Sequence, residues 1–532
     1  MNQKALTFSR IFKKVQCIII CLSVILSFTM LAGCESEELT LYFGVNRMPI
    51  NIDPQKASSY GELLAVRNCF KGLTKLDKDN NAVLDLAESY KLSENKLTYT
   101  FKLKDAKWQN EEKVTSFDFI FAINRALNKS TASPSVHSLK IIKGVDEILS
   151  GNSQAELGVL APDSNTLIFK LTRPDSNFLT KLTTAVFMPC NQKFFEDCGG
   201  KYGLYKDKIL TNGDYYISSW TENRHIKLSL CENSELENAA KTAYITVSST
   251  GKNPIKRVVD QEIGIAVDDV NDYSAVDTSK YKIKTAYQKS YAIVINKNSA
   301  IGQNALLTEA LCRAINRDEY SLSMSKRFKV ASSVLPPDSQ LNGIKPDTVN
   351  IPGYYFSYNS QKAREDFLLS LESFNKNKLP NINVLTVDNP DVKAVTNNIV
   401  GQWQNTLGAY VNIKAKSSDK SLLSTVKNGD FTIAMIPLSE NIDSILSLFT
   451  DKSSALYLNN SEYDSAVAVF GETDDTEKCQ SALKKCLTIL STDSTIIPVI
   501  SVPTAFIYKI DYNNMVFSPI DETVDFSIIS KK

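Results

Sequence analysis

Several short segments of this chain alternate apolar and polar residues, which is the pattern of a half-buried β-strand. In the clearest example, polar residues separate Leu97, Tyr99, Phe101 and Leu103 from one another. A period of two places these side chains on one face of an extended segment, so a strand is predicted there. Further strands are predicted at 41–43, 382–387 and 410–413.

Other segments repeat apolar residues at helical spacing. Thr115 precedes one such segment and Asp118 follows three residues later, the spacing of a capping box. The expected buried face of this helix consists of Phe119, Ala122, Ile123, Ala126 and Leu127. Two more helices are predicted, at 306–315 and 392–407, and Gly408 is placed to end the second.

The segment from 382 to 413 has the order strand, helix, strand within about thirty residues, which is typical of a βαβ unit. Such a unit predicts a parallel pair of strands. Because strands and helices alternate along the rest of the chain, the predicted fold class is α/β. The 532 residues exceed what one hydrophobic core accommodates, so two or three domains are expected.

The N-terminus combines a basic start with an apolar run. Four basic residues precede the apolar residues 15–30, and Leu-Ala-Gly-Cys follows at 31–34. This order is typical of an export signal, and its cysteine makes it similar to bacterial lipoprotein signals. The resemblance implies cleavage after residue 33, lipid attachment at Cys34, and a position on the extracytoplasmic face of the cell membrane. An uncleaved transmembrane anchor is the alternative, because the run is nearly long enough to span a bilayer.

The charged and metal-binding residue types argue against several classes of partner. The 60 Lys and Arg residues nearly balance the 59 Asp and Glu residues, and no basic stripe suggests a nucleic-acid partner. The chain has two histidines and no C-x₂-C pair, which argues against zinc. No cofactor or metal is therefore expected. The seven cysteines after Cys34 are expected to be buried free thiols.

The chain carries none of the sequence motifs that mark phosphate-binding loops, dinucleotide sites, zinc proteases or nucleophile elbows. A Ser-His-Asp triad would have to use His137 or His225, and neither lies in a recognisable nucleophile context. The favoured interpretation is a binding protein rather than an enzyme. An anchored hydrolase is the remaining enzyme alternative.

Four segments before residue 130 form a block of distinctive order and spacing. They lie at 70–77, 86–90, 97–108 and 114–119, with Phe-Lys-Gly-Leu at 70–73. Looser matches follow at 212–220, 310–317 and 457–464. Together these segments resemble the family 5 solute-binding lipoproteins of ABC importers, which bind oligopeptides and dipeptides.

This resemblance implies a periplasmic-binding-protein type II fold, in which two lobes are joined by a hinge and accompanied by an extra domain. The implied boundaries are 1–33 for the signal peptide, 34–60 with 160–280 and 485–532 for a discontinuous lobe I, 61–159 for the extra domain, and 281–484 for lobe II.

The resemblance also implies a function. A monomeric, lipid-anchored protein would capture a peptide and deliver it to an ABC permease driven by its ATPase subunits. Two alternatives share the fold: a protein that binds a nickel chelate or an oligosaccharide, and a sensor that presents its peptide to a signalling partner.

The segment expected to bind the peptide's α-ammonium group departs from the family pattern. In the family the acidic residue that binds this group usually lies in a "W-x-x-D-Y" stretch just after "G-D-F-D-I-A". Here Gly-Asp-Phe-Thr-Ile-Ala occupies 429–434, but the tryptophan and the Asp-Tyr pair are missing from 435–443. Glu440, Asn441 and Asp443 are the candidate replacements, and we hypothesise that Glu440 or Asp443 contacts the ammonium group.

Five further residues are candidates for ligand contact. Asn46, Arg47 and Asp53 follow the first strand, where the family's chain runs along the ligand cleft. Tyr291 precedes the segment that corresponds to the family's hinge side, and His137 lies near a loop that faces the ligand in relatives. A purely structural role is the alternative for each.

Overall fold

The structure, a computed structural model, describes residues 38–532 with the exception of 153, 233, 235, 237–238, 269–271, 340–343, 347–348, 350–353, 374–381, 409–410, 417–418, 440–441, 453, 474 and 519. Cys34 and the predicted signal therefore lie outside the described residues. Within the described part, no helix is both long and apolar enough to cross a membrane.

The described residues contain nineteen strands and fourteen α-helices. In chain order the strands are β1 (Thr40–Gly44), β2 (Thr74–Leu76), β3 (Ala82–Leu84), β4 (Ala87–Leu92), β5 (Thr98–Leu103), β6 (Val159–Asp163), β7 (Thr166–Lys170), β8 (Tyr215–Thr221), β9 (His225–Leu230), β10 (Thr242–Thr246), β11 (Ile265–Asp268), β12 (Tyr281–Ile295), β13 (Lys329–Val330), β14 (Ile382–Val387), β15 (Val411–Lys416), β16 (Ile433–Leu438), β17 (Ile496–Lys509), β18 (Tyr512–Asn513) and β19 (Ser530–Lys531).

The helices are α1 (Tyr60–Cys69), α2 (Ser116–Leu127), α3 (Val145–Leu149), α4 (Phe178–Lys181), α5 (Gln192–Asp197), α6 (Pro254–Val259), α7 (Ala305–Arg313), α8 (Arg317–Ser323), α9 (Ser360–Ser373), α10 (Pro390–Leu407), α11 (Asp419–Lys427), α12 (Ile442–Ser447), α13 (Ser461–Glu472) and α14 (Thr476–Thr492).

Eleven of the strands form one mixed sheet, in the order β15-β14-β16-β12-β17-β11-β1-β10-β9-β8, with β13 paired to β17 beside this path. The two longest strands, β12 and β17, lie at its centre and pair antiparallel along most of their length. Their pairing has a register irregularity between Ala286 and Lys289. On one side β16 pairs with β12, and on the other β11 pairs with β17. The two long strands therefore belong to both halves of the sheet.

A separate four-stranded antiparallel sheet has the order β4-β5-β7-β6. Tyr99, Phe101 and Leu103 of β5 are buried, which confirms the predicted strand and its inward face. The T-shaped contact between the Phe101 and Phe169 rings, with centroids 6.1 Å apart, joins β5 to β7 within this core. The sheet extends to Lys170, because β6 and β7 are part of it.

The local predictions for α2 and α10 are confirmed. The backbone N–H of Thr115 donates to Asp118 Oδ2 at 2.7 Å, as a capping box requires. The predicted apolar stripe of α2 is buried. Gly408 ends α10 in the left-handed conformation, with φ +67°, which glycine adopts at little cost. The parallel pairing of β14 and β15 confirms the βαβ unit.

All seven cysteines of the described residues are free thiols, and all but Cys231 are buried. This confirms the expected free state. Burial raises the pKa of Cys190, Cys312 and Cys486 to about 12 in each case, so these thiols remain protonated at neutral pH.

Candidate functional site

A cavity of about 280 Å³ lies at the carboxyl ends of β1 and β11. These strands are parallel neighbours, with Phe43 opposite Ile265 and Gly44 opposite Ala266. Ligand sites in α/β sheets form at the carboxyl ends of parallel strands, because the following loops diverge there. The cavity is lined by Val45, Asn46, Arg47, Ser59, Tyr60, Gly61, Val267, Asp268 and Glu522.

The first turn of α1 forms one wall of this cavity. Glu62 caps the helix, since its Oε2 accepts from the backbone N–H groups of Ser58 at 2.9 Å and Ser59 at 3.0 Å. Gly61 allows close packing here: a Cβ at this position would lie 3.0 Å from Pro49 Cγ. The helix start therefore packs closely against the loop that carries Asn46 and Arg47.

Glu522 reaches the cavity from the opposite end of the chain. It lies in a tight loop in which Ser518 N–H donates to the Thr523 carbonyl at 2.8 Å. Its own backbone has φ +61°, a conformation that few residues other than glycine adopt. Its Oε1 accepts from the Thr504 hydroxyl at 2.6 Å. Because Thr504 belongs to β17, this bond ties the C-terminal loop to the centre of the sheet.

Arg67 of α1 fixes the loop that carries Glu522. Its guanidinium donates to both Asp521 carboxylate oxygens at 3.2 Å and to Ser518 Oγ at 3.3 Å, and its Nε donates to Thr523 Oγ1. Burial acts to raise the pKa of Asp521, but the Arg67 charge and the hydrogen bonds from Ser518 and Thr523 leave it below its ordinary value. Asp521 is therefore an ionised partner that holds the loop against α1.

Tyr60 lines the cavity and carries a hydroxyl group. The hydroxyl is buried and has no hydrogen-bond partner among the described residues. Burial, followed by the negative charges of Glu522 and Asp521, raises the pKa of Tyr60 well above its ordinary value. The group is therefore a neutral phenol that can donate to or accept from a ligand.

Two of the predicted contact residues, Asn46 and Arg47, line the cavity, and both are exposed. Asp53 is placed differently. It is 1% exposed, and its carboxylate accepts from the Arg125 guanidinium, with Oδ1 3.2 Å from Nη1. The same guanidinium lies 3.9 Å from the centre of the Phe195 ring. Asp53 thus holds α2 against the loop after β1 and does not line the cavity.

Tyr291 and His137 do not line the cavity either. Tyr291 is 3% exposed on β12, between Pro437 of β16 and Ile500 of β17, and it packs in the main apolar core. His137 is exposed on a 3₁₀-helix at Val136–Leu139. Tyr291 lies in the segment Ser290–Ile295 of β12, where every residue is buried, so both faces of the strand are covered at this position.

The segment proposed to bind the ammonium group follows β16, which ends at Leu438 opposite Ser290 of β12. β16 and β14 are parallel, so their carboxyl ends share one edge of the sheet. Glu440 and Asn441 lie outside the described residues, and so does the side chain of Asp443. The ammonium hypothesis therefore stays a prediction.

Three cavity residues, Tyr60, Asp268 and Glu522, were missed by sequence reasoning. Asp268 had a usable signal, because it follows the apolar run Ile263–Val267 as a carboxylate would at the end of a buried strand. Tyr60 and Glu522 had none, since only the tertiary fold brings residues so far apart in sequence together.

A second, smaller cavity of about 30 Å³ lies behind α1. Its charged groups pair internally: Lys71 Nζ lies 2.7 Å from Asp214 Oδ1. Burial raises the pKa of Asp85, which also lines this cavity, although Lys75 and Lys71 oppose the shift. A space of this size holds one or two waters, so it is not a ligand site of useful size.

Comparison with known proteins assigns this chain to a family. The model of the bacterial extracellular solute-binding proteins, family 5, matches residues 81–454. The dipeptide-binding protein of Lactococcus lactis subsp. cremoris is 26% identical over 434 residues, covering 77% of this chain and 79% of the relative. The periplasmic oligopeptide-binding protein OppA of Escherichia coli is 26% identical over 481 residues, covering 84% of each.

Solved structures show the same fold. The substrate-binding domain of an oligopeptide ABC transporter from Bacillus anthracis superposes with a TM-score of 0.75 at 22% identity, covering 93% of this chain and 99% of that one. Peptide-bound OppA of Listeria monocytogenes gives a TM-score of 0.73 at 23% identity, covering 93% and 100%. The predicted type II binding-protein fold is confirmed. The chain belongs to the bacterial extracellular solute-binding proteins, family 5.

Proposed function

We propose that this protein captures peptides outside the cytoplasm and delivers them to an ABC import permease and its ATPase subunits. The observation that carries the proposal is the cavity at the carboxyl ends of β1 and β11, in a chain whose relatives are named dipeptide- and oligopeptide-binding proteins. The role is binding without catalysis.

The chemistry of the cavity suits such a ligand. A protein that accepts many peptides binds what all peptides share, their backbone and termini, and an extended peptide pairs as an added strand. Asn46, Ser59 and Tyr60 present amide and hydroxyl groups that bond to a peptide backbone directly or through water. Glu440 or Asp443 would bind the α-ammonium group from the segment after β16.

The domain organisation that we propose keeps three units but moves one boundary. Lobe I contains β1, β11 and the C-terminal return, and lobe II contains β14, β15 and β16. The four-stranded sheet includes β7, which ends at Lys170, and this supports an extra domain that extends past the predicted boundary at residue 159. β12 and β17 would form the hinge between the lobes.

Attachment to the membrane through Cys34 is part of the proposal, and it rests on the signal at 1–34. Mass spectrometry of the N-terminal peptide tests it. A peptide that begins at a diacylglyceryl-modified Cys34 is expected, and Cys34→Ser is expected to leave the export signal unprocessed by the lipoprotein route.

Thermal unfolding in the presence of candidate ligands tests the proposed function. A ligand at a hundredfold its Kd stabilises the folded state by about 2.7 kcal/mol. Di- to octapeptides are expected to raise the melting temperature, whereas nickel chelates and oligosaccharides are not. A shift with a sugar or a metal chelate and with no peptide would overturn the peptide assignment and leave the fold assignment intact.

A further inference from the structure

The charged groups of the 280 Å³ cavity are unequally buried. Asp268 is 3% exposed at the end of β11, and Glu522 is held by the Thr504 hydroxyl at 2.6 Å. Arg47, the cation among the lining residues, is exposed. The cavity is therefore lined by one buried carboxylate, one half-buried carboxylate and one solvated guanidinium.

This difference in burial decides the sign of the field that a ligand meets. An exposed charge interacts through water and is screened, whereas the same charge near a protein interior acts several times more strongly. The carboxylates of Asp268 and Glu522 therefore outweigh Arg47.

The size of the cavity indicates what a cationic ligand group can be. Its 280 Å³ is several times the share of about 30 Å³ that one water occupies in the liquid. An ammonium group alone would leave most of this space to water, whereas a lysine or arginine side chain fills it with a methylene chain and places a charge at its end.

We propose that this cavity is a specificity pocket for a basic side chain of the bound peptide, with Asp268 and Glu522 as acceptors and the Tyr60 hydroxyl as an additional acceptor. The proposal deepens the proposed function and rests on it. It assigns this chain a preference for lysine- or arginine-containing peptides at one position of the ligand.

Calorimetric titration with a peptide series tests the proposal. The probes are alanine pentapeptides that carry a single lysine, glutamine or glutamate at each of positions 2 to 5. All of them have the same α-ammonium group, so a difference between them reports the side chain. At one position the lysine peptide is expected to bind about tenfold to a hundredfold more tightly than the glutamine peptide, as for a hydrogen bond to a charged group. The glutamate peptide is expected to bind most weakly.

Isosteric variants test whether Asp268 and Glu522 cause the preference for lysine peptides. Asp268→Asn and Glu522→Gln are expected to bring the ratio of lysine- to glutamine-peptide affinity close to one, because the lysine peptide loses more affinity than the glutamine peptide. Glu222→Gln, an exposed residue between β8 and β9, is the matched control and is expected to keep the ratio.

Three results would overturn the proposal. Equal affinities for the three peptides at every position would refute it while leaving peptide binding in place. An equal loss of affinity for lysine and glutamine peptides in the variants would show that the pocket binds a group common to all peptides. Binding of no peptide at all would contradict the proposed function and this inference together.

Discussion

Arg67 and Asp521 are 454 residues apart in sequence, yet the Arg67 Nη2 lies 3.2 Å from both carboxylate oxygens of Asp521. Their side chains are 12% and 13% exposed. This ion pair fixes the C-terminal loop on α1 and so positions Glu522 in the cavity.

Arg67→Ala is expected to lower the free energy of unfolding by about 3 kcal/mol, because it leaves the Asp521 carboxylate without its cation in a mostly buried position. Urea unfolding measures the change. Peptide affinity is expected to fall as well, since the loop that carries Glu522 loses its contact with α1. Arg224→Ala, at an exposed position of the β8–β9 turn, serves as the control and is expected to change neither quantity. An Arg67→Ala protein with unaltered stability would show that the pair does not hold the loop.

The ion pair between Arg67 and Asp521 predicts that the free energy of unfolding depends on pH. The folded-state pKa of Asp521 is lowered, so the unfolded chain takes up the proton first as the pH falls. The contribution of Asp521 to stability is therefore complete above its unfolded-state pKa of about 4. It is lost as the pH falls from there toward the lower folded-state pKa. The difference in unfolding free energy between the wild type and Asp521→Asn is expected to be constant from pH 7 to 5 and to shrink below pH 4. A difference that stayed constant to pH 3 would contradict the lowered pKa.

A substitution of Asp53 distinguishes a structural role of this residue from a ligand-binding role. Its carboxylate and the Arg125 guanidinium are 2% and 8% exposed, so Asp53→Ala leaves a buried cation unpaired. The expected loss of stability is about 3–5 kcal/mol. Peptide affinity, measured by calorimetry on the folded protein below its melting temperature, is expected to change less than twofold. A large loss of affinity with normal stability would restore Asp53 to the ligand site.

The ammonium hypothesis is tested by a double substitution. Glu440→Ala combined with Asp443→Ala is expected to weaken peptide binding about tenfold or more, the size of a lost hydrogen bond to a charged group. The exposed pair Asp197→Ala and Glu222→Ala is the control. If the affinity of the double variant equals that of the control, neither residue binds the ammonium group.

Local sequence patterns predicted the elements well, because each depends on residues close together in the chain. The alternation in β5, the capping box of α2 and the glycine after α10 are examples. The position of Asn46 and Arg47 beside the cavity follows from their place directly after the first strand. Tyr60, Asp268 and Glu522 meet only through the order of the strands, in which β1 lies beside β11 and the chain end returns past β17. The burial of Tyr291 also depends on the tertiary fold, since the local pattern did not show that both faces of β12 are covered at this position.

Native mass spectrometry of the protein, purified without denaturation, tests the central claim that it binds peptides. We predict bound species that dissociate on activation and fragment as peptides, enriched in lysine or arginine at one position. A bound sugar or metal chelate in place of peptide would contradict the claim.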